Sequence, residues 1–292
     1  MKILVFSSLN VDHDYYMEHI AKPKETIFAK EYHVVAGGKG LNAAIALARS
    51  GVDVSIAANI GNDAQFLEDI LKNNHVDTTY LNHVNEPNGH AIIQIDETGE
   101  NSIFIYGGSN QSITMEYIDS VIPQFSKGDL LILQNEINNQ VYLINKAHEH
   151  GLTILLNPSP FNDDIFTYPL EKVDYFFINE VEGNGFTGKE EPNEILDELR
   201  IKYPHTKVIL TVGAQGAYYQ DENSRFFQQA YKVKAVSTVG AGDTFMGYFS
   251  YGISQGLDPK ESLLVATKAS SITVQREGAA DSIPTMEEVN KL

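Results

Sequence analysis

Apolar positions along the chain fall into three patterns. Short, mainly apolar stretches recur at 3–6, 53–60, 130–134, 152–156, 175–178 and 208–212, each bounded by polar or turn residues. Runs of that length predict strands buried on both faces, as in a parallel sheet. Stretches of helical character lie between them at 43–49, closed by Gly51, at 64–74 and at 138–150, and another opens at 239 and runs to about Gly256. Glycine after the last periodic residue is a helix stop. From Ile113 onward strand and helix alternate, which predicts a mainly parallel sheet flanked by helices. The third pattern is period-two alternation at 79–84, 90–95 and 101–106, with the turn Asp96-Glu97-Thr98-Gly99-Glu100 and no helix between. It predicts antiparallel strands. Residues 15–35, mixed in polarity, are expected to add short strands. Together these form a small antiparallel sheet, a lid inserted at about 12–36 and 78–107 into one α/β domain spanning 1–292. No composition shift marks a linker, and no internal repeat is present.

Composition narrows the function. The 292 residues are 42% hydrophobic and 21% charged, the balance of an ordinary globular protein. No apolar stretch reaches membrane-spanning length, and the opening Met1-Lys2-Ile3-Leu4-Val5-Phe6 is too short for a signal peptide, so a cytoplasmic location is expected. The absence of cysteine removes disulfides, thiolate metal sites and cysteine nucleophiles together. The nine histidines form no familiar metal spacing. A net charge of −18 excludes nucleic acid as a partner, because such affinity depends on Lys and Arg meeting phosphates. The same charge repels a nucleotide at long range. Any ATP site must then rely on helix dipoles, a few local cations and Mg²⁺.

Candidate chemistry concentrates in Val239-Gly240-Ala241-Gly242-Asp243-Thr244-Phe245. Small residues at a helix N-terminus leave backbone N–H groups open to an anion. Asp243 in the first turn would take a proton from a hydroxyl attacking a phosphate held there. Asn10 and Asp12 follow the first strand, at the carboxyl edge where open α/β sheets place ligands. Ala36-Gly37-Gly38-Lys39-Gly40-Leu41-Asn42 precedes a helix; its glycines allow close backbone approach, and Lys39 and Asn42 add donors. It lacks the spacer and the Ser/Thr of a Walker loop. Glu136 follows the 130–134 strand. Asn179 and Glu182, three apart, would share a helical face suited to hydrated Mg²⁺. Thr211, Gly213 and Gly216 close another strand and suit a nucleotide lying over them. A dinucleotide fold would require a glycine fingerprint after the first strand, and residues 7–12 contain no glycine.

With these motifs in hand, the chain resembles the ribokinase-like (PfkB) carbohydrate kinase family along essentially its whole length. The strongest signatures are Gly37 to Asn42 and Gly240 to Phe245, with Asn179 to Glu182 between them. The resemblance implies a three-layer α/β fold with a β-sheet lid, and ATP-dependent phosphorylation of a sugar, with ribose going to ribose 5-phosphate. Asn10, Asp12, Gly38, Lys39, Asn42 and Glu136 match positions that hold sugar hydroxyls. Asp243 matches the general base, and Gly240, Ala241 and Gly242 match the anion hole. Asn179, Thr211, Gly213, Gly216 and Gly242 match nucleotide positions, and Glu182 matches the residue that meets Mg²⁺ through water. A homodimer joined through the lid is also implied.

Ser237, Val239, Thr273, Arg276, Gly278 and Ser282 align with a monovalent-cation site of the family, but Ser237 stands where an Asp is usual. A neutral oxygen there implies weak K⁺ activation. The stretch Val236 to Asp243 is similar to the branch acting on phosphorylated sugars, whereas Asn10, Asp12 and Glu136 suit a neutral sugar. Deoxyribose, fructose or a sugar phosphate is the alternative substrate, and an inactive sugar- or nucleotide-binding relative is a further alternative.

Overall fold

The computed structural model describes residues 1–292. Its strands in chain order are β1 (Ile3–Phe6), β2 (Asn10–Tyr16), β3 (Glu31–Gly37), β4 (Val54–Gly61), β5 (Asp77–Val84), β6 (Gly89–Ile95) and β7 (Asn101–Tyr106). They continue with β8 (Leu130–Gln134), β9 (Thr153–Asn157), β10 (Tyr175–Asn179), β11 (Lys207–Thr211), β12 (Gly216–Gln220) and β13 (Arg225–Gln229). The helices are α1 (Lys39–Ser50), α2 (Gln65–Asn73), α3 (Met115–Val121), α4 (Gln140–His150) and α5 (Glu180–Thr187). After them come α6 (Pro192–Lys202), α7 (Ala241–Gln255), α8 (Pro259–Thr273) and α9 (Met286–Val289).

The large sheet runs β13-β12-β11-β10-β9-β8-β1-β4-β5. It is parallel from β5 to β11, and β12 and β13 form an antiparallel edge. The mainly apolar stretches are explained by burial on both faces. Ile3 and Val5 point to a core shared with α1, α2, α7 and α8, whereas Leu4 and Phe6 point to a core shared with α3, α4, α5 and α6. Leu130 and Ile132 divide from Leu131 and Leu133 in the same way. Strand ends are thereby held between two packed layers, and the loops leaving the carboxyl edge start from fixed points.

The second sheet is ordered β3-β2-β6-β7. Its β2–β3 and β6–β7 pairings are antiparallel, and the central β2–β6 pairing is parallel. One expectation is corrected here. Residues 79–84 belong to β5, which pairs parallel with β4 at the edge of the large sheet and not with the lid. An edge strand buries little on either face, and β5 contains no fully buried residue. Its alternation therefore resembles that of a solvent-facing antiparallel strand. The intervening helix α2, which completes a strand-helix-strand unit, was the better guide to its direction.

Helix ends follow local chemistry. α1 stops at Gly51 (φ 93°) and α7 at Gly256 (φ 70°), where left-handed backbone is cheapest for glycine. The glycines inside α5 have a packing reason. A Cβ on Gly183 would lie 2.8 Å from Ile195, and one on Gly185 would lie 2.5 Å from the Phe161 ring. No helix is long and apolar enough to cross a membrane.

Candidate active site

The site assembles where α1, α7, the lid root and the β8 loop meet. After β1 the chain passes through buried Ser7, Ser8 and Leu9 into β2. The 37–40 turn lies so close to this segment that side chains would collide. A Cβ on Gly38 (φ 95°) would fall 2.8 Å from the Asn10 nitrogen, and one on Gly37 would fall 2.0 Å from Asp12 Oδ2. The glycines expected to admit a ligand here first admit the protein's own strand β2. Glu136 closes the arrangement: Ser8 Oγ and the Lys39 amide both donate to its Oε2, the latter at 3.0 Å.

Asp243 lies in the first turn of α7, 6% exposed, and Asn42 Nδ2 donates to its Oδ2 at 2.8 Å. α1 and α7 therefore meet through the Asn42–Asp243 pair. This alters one expectation. One Asn42 amide hydrogen is spent on Asp243, and its buried Oδ1 has no partner. The side chain thus offers an acceptor beside its second hydrogen.

The N-terminus of α7 is open. Gly240 is left-handed (φ 74°) and places no side chain over the helix end. The amides of Gly242 and Asp243 donate to no carbonyl or side chain, whereas Ala241 N donates to Thr238 O at 3.3 Å and Thr244 N to Gly240 O at 2.8 Å. A Cβ on Gly242 would meet nothing within 4 Å, so the fold itself does not require glycine there. Two free donors at the positive end of a fifteen-residue helix make an anion cradle.

Charge in the pocket is lopsided. Burial alone would lower the Lys39 ammonium, but Asp243, Glu136, Glu182 and Asp12, in that order, outweigh it and hold Lys39 above its usual range. Burial raises Asp243, and Lys39 and the Asn42 bond offset this only in part. Glu136 and Glu182 are raised for the same first reason, burial, with Lys39 opposing. Asp12 is pushed up to about 7 by burial, then by Asp14 and Glu136, against the pull of Lys39. One lysine thus serves four carboxylates, all of which hold protons more tightly than free carboxyl groups do.

Further along the rim, Asn179 is paired in register with Thr211 across β10 and β11. Asn179 and Glu182 form a capping box. Asn179 Oδ1 accepts from the Glu182 amide at 3.0 Å, and Glu182 Oε2 accepts from the Asn179 amide at 2.8 Å. Asn179 is therefore the helix cap rather than a residue on the helical face, and the pair has a structural use of its own. Gly213 is exposed (φ 50°), with nothing within 4 Å of a built Cβ. Gly216 is different: it is buried in β12, and a Cβ would fall 2.1 Å from Gln228 O, so strand packing accounts for glycine at that position.

The residues aligned with a monovalent-cation site come together in two adjoining loops. Ser237 N donates to Val274 O at 3.2 Å, and Ser237 Oγ accepts from Val239 N at 3.3 Å. Thr273 Oγ1 is engaged with Thr244 and its carbonyl accepts from Arg276 N. The Arg276 side chain pairs with Glu288 at 2.6 Å, and Ser282 Oγ donates to Ala279 O. Gly278 is exposed at the turn between them (φ 84°). The chain contains no group of three or more His, Asp or Glu arranged to hold a metal directly.

Sequence reasoning missed the residues that hold the lid root. Asn88, Ser109 and Asn110 are buried and interlinked, and they grip the Leu9–Asn10 segment. Asn88 and Asn110 precede and follow the lid strands as ordinary turn residues, so only their three-dimensional convergence distinguishes them. Ser8, which donates to Glu136, likewise lies in an ordinary loop between β1 and β2.

The fold and this arrangement define a carbohydrate phosphotransferase: the chain belongs to the pfkB family of carbohydrate kinases, whose description matches residues 1–286. It is 34% identical over 302 residues to the ribokinase of Staphylococcus aureus (strain COL), covering 100% of this chain and 99% of that protein. It is 30% identical over 303 residues to the deoxyribokinase of Salmonella typhi, covering 100% and 98%. Among solved structures, ribokinase from Cryptococcus neoformans var. grubii serotype A in complex with ADP superposes with a TM-score of 0.89 at 29% identity, covering 99% of each chain. Arabidopsis thaliana ribokinase complexed with ribose and ATP gives 0.87 at 27%, covering 99% and 97%.

Proposed function

We propose that this chain transfers the γ-phosphoryl group of ATP to the primary hydroxyl of ribose, giving ribose 5-phosphate and ADP. One observation carries the reading: a buried carboxylate, Asp243, adjoins two unspent amides at a helix N-terminus and shares its surroundings with Lys39, Asn42 and Glu136. Asp243 accepts the hydroxyl proton as the oxygen attacks phosphorus, and its raised proton affinity makes it a better base than a solvated carboxylate. The Gly242 and Asp243 amides meet the charge on the transferring group. Asp12, Glu136, Lys39, Asn10, Gly38 and Asn42 hold the sugar, and a site that pairs each hydroxyl rejects a sugar lacking one.

Asn179, Thr211 and Gly213 border the nucleotide, with Lys39 and the helix dipole offsetting the acidic character of the chain. Mg²⁺, when bound, neutralises charge on the phosphates. Glu182 fits a water-mediated contact with it, because its carboxylate is already engaged by Asn179 at 2.8 and 3.2 Å. At the aligned positions themselves, Ser237, Val239, Thr273, Gly278 and Ser282 offer only neutral oxygens, which supports weak K⁺ dependence, although Glu277 and Asp281 lie in the same loop.

The lid supports a homodimer. Tyr32, Val34, Phe104 and Tyr106 are about half exposed and, by strand register, lie on the face opposite Asp12. A second substrate reading, deoxyribose, is favoured by the likeness to a deoxyribokinase. Phosphate transfer from ATP measured across ribose, deoxyribose, fructose and fructose phosphates tests both. Ribose as the substrate with the highest kcat/KM supports the first, deoxyribose the second, and transfer to none overturns them.

A further inference from the structure

Asn10 is 4% exposed and Asn110 is 2% exposed, and they touch at the point where the chain enters the lid. Asn110 spends its whole amide on two residues. Its Oδ1 accepts from Leu9 N at 3.1 Å, and its Nδ2 donates to Leu9 O at 3.1 Å and to Asn10 Oδ1 at 2.7 Å. It reads the Leu9 peptide as a neighbouring strand would, and its remaining hydrogen fixes the Asn10 side chain. Asn88 anchors the same spot from the other side, donating to Leu9 O at 2.9 Å and accepting from Ser109 Oγ and Gly61 N. Gly89 packs directly against both side chains: a Cβ there would lie 2.1 Å from Asn110 Nδ2 and 2.8 Å from Asn10 Oδ1.

An Asn side chain has one acceptor and one donor end, and which end faces a ligand is set by what the other end binds. At Asn10 the oxygen is held by Asn110. Its Nδ2 makes no hydrogen bond, yet it is not among the polar atoms closed off from solvent. We infer that Asn110 is a positioning residue that locks the Asn10 amide with its N–H₂ toward the sugar, so that this part of the site demands a lone pair on the substrate. Asp12, one step further along the same face of β2, offers the reverse: a carboxylate that accepts. Together they read a hydroxyl pair with opposed polarity, one accepting from Asn10 and its neighbour donating to Asp12. An ammonium or a bare methylene opposite Asn10 fails, whereas a fluorine or ether oxygen keeps the acceptor.

This inference rests on the sugar-kinase reading of the site, and wild-type turnover of ribose in the same assay tests that reading separately. The experiment compares wild type, Asn10→Ala, Asn110→Ala and the double variant, measuring kcat, KM for sugar, KM for ATP and thermal midpoint. Positioning predicts that Asn110→Ala raises the sugar KM about tenfold while kcat and the ATP KM stay within about twofold. It also predicts that the double variant is no worse for sugar than Asn10→Ala alone. A structural role alone would instead move the ATP KM with the thermal midpoint and make the two losses additive, which overturns the inference. Should Asn110→Ala not fold, Asn10→Asp decides without disturbing the lid root. It keeps the acceptor that Asn110 uses and turns the pocket-facing donor into an acceptor. A rise of tenfold or more in sugar KM supports the assignment, and unchanged affinity overturns it.

Discussion

Replacing Asp243 by Asn separates proton removal from every other contribution of that residue. The two side chains are nearly isosteric, and the amide oxygen of the variant can still accept the Asn42 hydrogen bond found at 2.8 Å. Two effects then compete. Weakening a hydrogen bond to a charged acceptor into one to a neutral acceptor costs about 1 kcal/mol, which is roughly fivefold in rate or affinity. Loss of a general base costs about 10²–10⁴-fold, or about 3–5 kcal/mol of barrier. The magnitudes do not overlap, so kcat decides between them. A coupled assay for ADP release at saturating ribose and ATP should show kcat down by roughly 10²–10⁴-fold, with the sugar KM within about fivefold. Removing a buried charge whose proton affinity is already raised should leave the thermal midpoint at neutral pH unchanged or higher. If kcat falls less than about tenfold, the loss is no more than one weakened hydrogen bond explains, and Asp243 does not serve as the base.

Four further outcomes are expected. Because Asp12 is held at about 7 and accepts a sugar hydroxyl more strongly when ionised, kcat/KM for sugar should fall as pH drops below 7, and Asp12→Asn should remove that inflection; a profile flat from pH 8 to 5.5 contradicts this. The sign for stability is opposite: the folded state keeps a proton that the unfolded chain has lost, so Asp12 costs stability as pH rises from 3.8 toward 7, and Asp12→Asn should raise the thermal midpoint more at pH 8 than at pH 4. With Ser237 in place, titrating KCl against a bulky organic cation at constant ionic strength should change activity less than tenfold, and Ser237→Asp should strengthen the response; a larger wild-type activation contradicts the reading. Phe104→Asp, placing a charge on the outer lid face, should convert a dimer to monomer in sedimentation, and an unaltered dimer would move the interface elsewhere.

Much of the site was legible in local signals, because phosphoryl transfer requires backbone donors, and such donors leave marks in sequence. Gly240 to Asp243 could be read as an open helix end with an acid in the first turn, and the structure has that form. The glycines at 37–40 could also be recognised, but their cause could not: they are required by the Ser7–Asp12 segment passing within van der Waals distance, a contact between segments about thirty residues apart. The Asn179 and Glu182 spacing was visible too, yet it is compatible with both a helical face and a capping box, and only the Asn179 backbone conformation distinguishes them.

The strand and helix pattern by itself determined the layered α/β architecture, since apolar runs and helical spacing record which surfaces must leave water. It misassigned β5 because an edge strand buries too little to announce its partner. Polarity at the proposed sugar rim was decided by tertiary structure alone. Asn42 and Asn10 are identical amides in the sequence, but Asp243 engages a hydrogen of one and Asn110 the oxygen of the other, across separations of 201 and 100 residues. Which end of a side chain faces a ligand depends on which end the rest of the chain has already taken, and only the folded molecule brings those partners together.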